Sequence, residues 1–307
     1  MNELEITSAL SAVVSLRSRI PEDALTANVL GTERAGHGVQ IRDDGLVLTI
    51  GYLITEAESI FLVTASGQTL QAHMVAYDQR TGFGLVQALG RLDAATVQMG
   101  SSADVRVGDP IVVAGHGGKS DMVAAEVIAK REFAGYWEYL LDEAIFSAPA
   151  HSNWGGAAAL DSEGRLVGIG SLFVQQAEGE ESGRDANMIV PIDLLPPILT
   201  DLLMYGRTRK PPRPWMGLLT VEHRAGLVVA STIDGSPAEE ADIEVGDIVA
   251  EVAGAPVNDL ASFFRQVWRL GEAGVEIPLT IVRDGERLSV SIESVDRNAS
   301  LKSPQMH

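Results

Sequence analysis

Ser152-Asn153-Trp154-Gly155-Gly156-Ala157, with Gly164-Arg165-Leu166-Val167-Gly168-Ile169-Gly170-Ser171 close behind, is the most telling part of this chain. Taken alone, Asn-Trp-Gly-Gly is an ordinary glycine-rich loop, and the apolar run after Gly164 is a strand next to it. Working outward, Gly38-Val39-Gln40-Ile41 and Gly45-Leu46-Val47-Leu48-Thr49-Ile50-Gly51-Tyr52-Leu53-Ile54 form a second pair of strand-like runs. Short alternating segments at 59–65, 70–76, 110–114 and 122–130 are separated by glycine, asparagine and aspartate, which is the punctuation of turn-rich β structure. The 31 glycines fit that pattern, and the residues from about 36 to 199 read as predominantly β, a pattern that two six-stranded barrels with little helix would satisfy.

In chain order these segments resemble the HtrA/Deg branch of the chymotrypsin-like serine proteases. The loop at 152–156 is similar to that family's Gly-Asn-Ser-Gly-Gly, with Trp154 standing where the serine belongs. The run from Gly45 is similar to strands that end in Thr-Asn-Asn-His-Val-Val, and Tyr52 occupies the histidine position. Asp78-Gln79-Arg80-Thr81-Gly82-Phe83-Gly84-Leu85-Val86 resembles Asp-Pro-Arg-Ser-Asp-Ile-Ala-Leu, and Gly82 falls at the aspartate. Further similarity runs through 101–109, through Gly115-His116-Gly117-Gly118-Lys119 at the family's Gly-Asn-Pro loop, and through Asn187-Met188-Ile189-Val190-Pro191. The resemblance implies a mainly β fold, a chymotrypsin-like double β-barrel, whose catalytic positions Tyr52, Gly82 and Trp154 are degenerate.

In a Ser-His-Asp triad the serine attacks, the histidine carries the proton and the aspartate orients the imidazole. Tyrosine, with an ordinary pKa of about 10, is a poor base near neutrality. Glycine has no side chain, and an indole has no nucleophilic oxygen. A rescue in which His151 activates Ser152 is the weaker alternative, since neighbouring loop residues point in different directions. Asp142 and Glu143 read as a solvated turn rather than a carboxylate pair. The six histidines, His37, His73, His116, His151, His223 and His307, show no metal-ligand spacing, so the expected metal and cofactor complement is none.

Past a linker rich in proline and basic residues (Arg207, Arg209, Lys210, Arg213), residues 214–296 resemble one PDZ domain. Trp215-Met216-Gly217-Leu218 is similar to the carboxylate-binding loop, and Gly235-Ser236-Pro237-Ala238 with Val245-Gly246-Asp247-Ile248 to the strongest PDZ signature. Ser236 is placed to cap a short helix that Pro237 opens. Residues 259–270 carry Leu260, Phe263, Phe264, Val267 and Leu270 at helical spacing. Trp215, Met216, Gly217, Leu218, Phe264 and Val267 are the candidate peptide-binding residues, although most apolar residues of such a helix are simply core. Asp284-Gly285 marks a hairpin turn between the last two strands. Asp242 replaces the glycine usual after the short helix, and aspartate tolerates the left-handed conformation needed there.

The expected organisation is an N-terminal segment (1–30) holding a short helix or strand at 9–16, a barrel domain (31–205), a linker (206–214), the PDZ domain (215–296) and a tail (297–307). Residues 175–185 read as a surface loop, and 193–205 as a helix interrupted early by Pro196-Pro197. A formal charge of -19 argues against nucleic acid or an anionic membrane surface as partner. There is no cysteine, and no apolar run approaches the roughly 20 residues of a membrane span. Glu3 and Glu5 stand where a secretory leader carries basic residues, so the sequence predicts a cytoplasmic protein, with the periplasm as the alternative if a leader has been removed.

Together these features predict a non-catalytic protein that holds protein or peptide C-termini in its PDZ groove, as a scaffold or a regulator of an active protease. The resemblance adds a homotrimer. The competing expectations are an active serine endopeptidase with an unrecognised nucleophile and a chaperone for unfolded clients.

Overall fold

The computed structural model describes residues 3–175 and 183–302. The loop expected at 175–185 therefore lies largely outside the described residues. The chain divides into two compact units, one drawn from Met1–Arg131 and Glu143–Thr208, the other from Glu132–Asp142 and Arg209–Lys302.

In the first unit a helix α1 (Glu3–Leu10) precedes strand β1 (Val13–Arg19), and a single-turn helix α2 (Ala27–Leu30) follows it. β2 (Glu33–Gln40), β3 (Leu46–Ile50), β4 (Ser59–Val63), β5 (Thr69–Tyr77) and β6 (Phe83–Ala88) complete a closed barrel in the order β1-β2-β3-β6-β5-β4. β1 closes it by pairing with both β2 and β4, setting Leu16 against Gly36 on one side and Leu62 on the other. Within the expected N-terminal segment, β1 is thus a strand of the barrel itself. Val14 and Leu16 alternate inward while Arg17 and Arg19 face out, so the strand's apolar face can be buried only by joining the sheet.

A second closed barrel follows: β7 (Pro110–Ala114), β8 (Met122–Gly135), β9 (Tyr139–Ala148), β10 (Ala158–Leu160), β11 (Leu166–Val174) and β12 (Ala186–Pro191), in the order β10-β11-β12-β9-β8-β7. Ile111, Val113, Val127, Ile145, Val167 and Ile189 form its core. The expected pair of six-stranded barrels is what the chain builds. Pro196 and Pro197 do not interrupt a helix; they open α3 (Pro196–Tyr205), because the first-turn amides of a helix have no partner to lose. β8 runs past the expected end at 130, and the hairpin tip it makes with β9 belongs to the second unit.

That unit holds β13 (Leu218–His223), β14 (Gly226–Thr232), α4 (Pro237–Glu240), β15 (Ile248–Val252), β16 (Ala255–Pro256), α5 (Leu260–Arg269), β17 (Glu276–Arg283), β18 (Glu286–Glu293) and a final turn α6 (Arg297–Ser300). The sheet order is β13-β14-β15-β17-β18, with β16 paired to β15. The Ser236 hydroxyl accepts the Glu239 amide, capping α4 ahead of Pro237. Asp242 and Asp284 take the left-handed backbone expected of them, at φ 55° and 51°. α5 begins with a capping box, in which the Asp259 carboxylate accepts the Ser262 amide at 2.7 Å and the Ser262 hydroxyl meets the Asp259 amide. Its Phe263, Phe264 and Val267 are buried to within 1% of full enclosure, each burial favouring the fold by about 1.5–3 kcal/mol. Trp268 stacks on Phe264 at 5.6 Å, and the Arg213 guanidinium lies 3.8 Å from the Trp268 ring centroid. Arg213, read as part of a solvated linker, is therefore a cation–π partner of the α5 helix.

Candidate functional site

The 3-10 turn Gly51–Leu53 at the end of β3 carries Tyr52. Its hydroxyl donates to the main-chain carbonyl of Ser171 on β11 at 2.9 Å. Trp154 is half-buried and packs its ring on Phe173, centroids 5.4 Å apart. Trp154 also hydrogen-bonds with the side chain of Tyr52, while burial pushes the phenol above the usual tyrosine range, keeping it protonated. Gly82 reaches the same crevice through the backbone, its carbonyl accepting the Gly51 amide at 2.7 Å. Its own turn is closed by Asp78, whose carboxylate accepts the amide and hydroxyl of Thr81 at 2.9 and 2.8 Å. Trp154 thus meets Tyr52 through its side chain, whereas Gly82 reaches the residue before Tyr52 only through its backbone carbonyl.

Behind Trp154 lies a cluster that spacing along the chain did not reveal. The His37 amide donates to the Gly155 carbonyl at 2.8 Å, and the His37 Nδ1 accepts the His116 amide at 3.1 Å. The His151 Nδ1 accepts the Asn153 amide at 3.0 Å, and its Nε2 sits 3.1 Å from the Asp121 carbonyl and 3.3 Å from the Asp121 carboxylate. Burial drives His37 down to about 4, with Asp121 opposing and the other two histidines adding to the depression. His37, His116, Asp121 and His151 arrive from β2, the β7–β8 connection and the β9–β10 connection, so only the closed barrels assemble them. They anchor the 152–156 loop from beneath. Both His151 nitrogens are engaged, one by the Asn153 amide and the other by Asp121, and Ser152 is exposed. Asp142 and Glu143 lie on β9 and not in a turn; Asp142 pairs with Arg265 at 2.8 Å and Glu143 with Lys130 at 3.0 Å, so they do not act together.

In the second unit, the Met216, Gly217 and Leu218 amides converge on one point. That point is the carboxylate of Glu138, at the tip of the β8–β9 hairpin. Its Oε1 accepts Gly217 at 2.8 Å, Leu218 at 3.1 Å and Met216 at 3.2 Å, and its Oε2 accepts Met216 at 3.3 Å. Glu138 is buried, which pushes its carboxyl up to about 7, while the three amides and the charge of Arg297 pull the other way. Trp215, Met216, Leu218, Phe264 and Val267 are buried too, and Leu140 of the hairpin shares the core cluster of the last four. The six candidate peptide-binding residues therefore stand together, but covered. Sequence reading missed Glu138, because nothing near Tyr136-Trp137-Glu138 marks it as a partner for a loop almost eighty positions away.

Residues 36–169 match the trypsin-like peptidase domain and residues 214–293 the PDZ domain. In this order the two domains make the chain similar to the HtrA-type proteases. It is 24% identical over 274 residues to the periplasmic serine endoprotease DegP of Escherichia coli K12, covering 84% of this chain and 56% of that protein. To a probable periplasmic DegP-like endoprotease of Pseudomonas putida W619 it is 26% identical over 273 residues, covering 84% and 55%. The chain thus spans little more than half the length of these curated relatives. The structure of the HtrA-type protease AlgW with a decapeptide shares the fold, with a TM-score of 0.55 at 18% identity over 98% of both chains. A serine endoprotease from Yersinia pestis does so at 0.53 and 22%, over 95% of this chain and 96% of that one.

The relatives correct one expectation. They are named periplasmic, which overturns the cytoplasmic reading of the acidic residues Glu3 and Glu5. Compartment is set by targeting signals and not by the folded domains, so the composition of this chain carries no vote. Among the described residues, no helix is long and apolar enough to cross a membrane.

Proposed function

We propose that this HtrA-type chain is a non-catalytic member of its family, a periplasmic scaffold or regulator that recognises protein C-termini through its PDZ domain and assembles as a trimer. The observation that carries the reading is the hydrogen bond from Tyr52 to the Ser171 carbonyl beside a Trp154 ring packed on Phe173. At the positions where hydrolysis needs a base and a nucleophile, this crevice holds a neutral phenol tied to the backbone and an indole. Neither group takes up a proton near neutrality or attacks a carbonyl. Losing a single triad member typically leaves only about 10³ to 10⁴ of acceleration over water. The PDZ half of the reading is supported by the three amides aimed at one carboxylate, the arrangement that captures a peptide terminus as an added strand.

A fluorophosphonate probe followed by intact-mass analysis, run beside casein cleavage, tests the catalytic half. The expected result is an unmodified chain and uncut casein. A stoichiometric adduct on any serine overturns it.

A further inference from the structure

We propose that the β8–β9 hairpin tip is a built-in ligand of the PDZ groove, with the Glu138 side chain standing in for a peptide's terminal carboxylate, so that a C-terminal partner enters only by displacing it. This rests on the reading of the second unit as a peptide-binding module and specifies how that module is regulated.

Four features place the tip as a ligand rather than as incidental packing. The Glu138 carboxylate takes the amides of Met216, Gly217 and Leu218, which is the full donor set that the loop presents. Two residues earlier, the Tyr136 carbonyl accepts the Thr220 amide of β13 at 3.3 Å, so the tip also continues the sheet edge as an incoming strand does. On the opposite wall, Arg265 of α5 clamps the two legs of the hairpin through Glu132 and Asp142. Leu140, 7% exposed, is buried with Met216, Leu218, Phe264 and Val267 and supplies the apolar group that such a groove expects next to the carboxylate.

The tip is also held in a conformation it would not choose freely. Glu138 sits at φ 59°, a left-handed backbone unfavourable for a residue with a side chain. It is a buried acid as well, and the convergent amides, with the charge of Arg297, compensate its lost hydration. Phe133, Tyr136, Trp137 and Tyr139 brace it, with Trp137 and Tyr139 stacked at 5.7 Å. A hairpin tip with no ligand role has no need of a buried carboxylate at a strained position. A terminal carboxylate competes for the same donors with no such strain, so displacement by a partner is chemically reasonable.

The test uses the full chain, Glu138→Ala and the closer isostere Glu138→Gln. Hydrogen–deuterium exchange at Met216, Gly217 and Leu218 reads occupancy without any peptide. Fluorescence anisotropy reads access, with a labelled decapeptide ending in Tyr-Trp-Leu as a free carboxylate and the same peptide amidated. Exchange at the three amides is expected to quicken at least tenfold in Glu138→Ala and by less in Glu138→Gln. The carboxylate peptide is expected to bind the Ala variant at least tenfold more tightly than the unsubstituted chain, and the amidated peptide to bind neither. Unchanged exchange in both variants overturns the proposal, as does equal affinity for the unsubstituted chain and the Ala variant. Faster exchange with no binding by any variant leaves Glu138 as the loop's occupant and instead removes the reading of this domain as a binder of C-termini.

Discussion

The Tyr52 hydroxyl donates to the Ser171 carbonyl at 2.9 Å, tying the turn after β3 to strand β11 across the crevice between the barrels. A histidine in that turn would need a free nitrogen facing a nucleophile; the tyrosine uses its only polar atom as a structural tie. Tyr52→Phe removes the donor and leaves the carbonyl without it, at a cost of about 1 kcal/mol. Urea unfolding of the two proteins measures this directly, and equal midpoints would show that the bond contributes nothing.

Gly156 holds the 152–156 loop against β2. Its φ is 77°, and a Cβ there would fall on the His37 carbonyl, a backbone atom that cannot swing aside. Gly156→Ala should destabilise the chain by about 3 kcal/mol or more. Gly235 has a similar φ of 69° but nothing within 4 Å of a built Cβ, so Gly235→Ala should cost only about 1 kcal/mol. The difference between the two thermal melts separates collision from conformational strain.

His37 is neutral in the folded chain because burial lowers its pKa from 6.5 to about 4. An unfolded histidine takes up a proton below 6.5 while the folded one does not. The contribution of His37 is therefore intact above pH 6.5 and is lost as pH falls towards 4. His37→Asn keeps an acceptor for the His116 amide but does not titrate, so its melting temperature should fall less steeply across that window.

Glu138 slopes the other way. Its folded pKa of about 7 lies above the ordinary 4.5, so between those values the folded chain holds a proton that the unfolded chain releases. Stability from this group is full below pH 4.5 and declines as pH rises to 7. Glu138→Gln should remove that decline from the unfolding transition of the PDZ unit.

The Asp247 carboxylate, 1% exposed, is gripped by Arg283 through two bonds of 2.7 Å. Burial alone would raise its pKa, but Arg283 and the Glu244 amide hold it below the usual aspartate range. Arg283→Met strands a buried charge and should cost about 3–5 kcal/mol. The gap from the unsubstituted protein should narrow as acid protonates Asp247, which a series of urea titrations from pH 7 to pH 4 would reveal.

Much of this molecule is written locally. The alternation in segments such as 59–63 and 166–174 specifies strands, Ser236-Pro237 starts α4, and the Asp259/Ser262 pair starts α5, because each depends on backbone geometry within a few residues. Periodicity alone does not distinguish a helix start from a break at Pro196 and Pro197, whereas the 3-10 turn Ile192–Leu194 just ahead of them does.

What the amino-acid sequence determined by itself is the mainly β character, the short strands and the starts of α4 and α5, since these follow from short-range pattern and residue chemistry. What tertiary structure alone decided is the partnership of distant groups: His37 with His116 and His151, and Glu138 with the amides of 216–218. Backbone amides are identical in every residue and carry no mark of their partner. Where they point is set only when the whole sheet has closed around them.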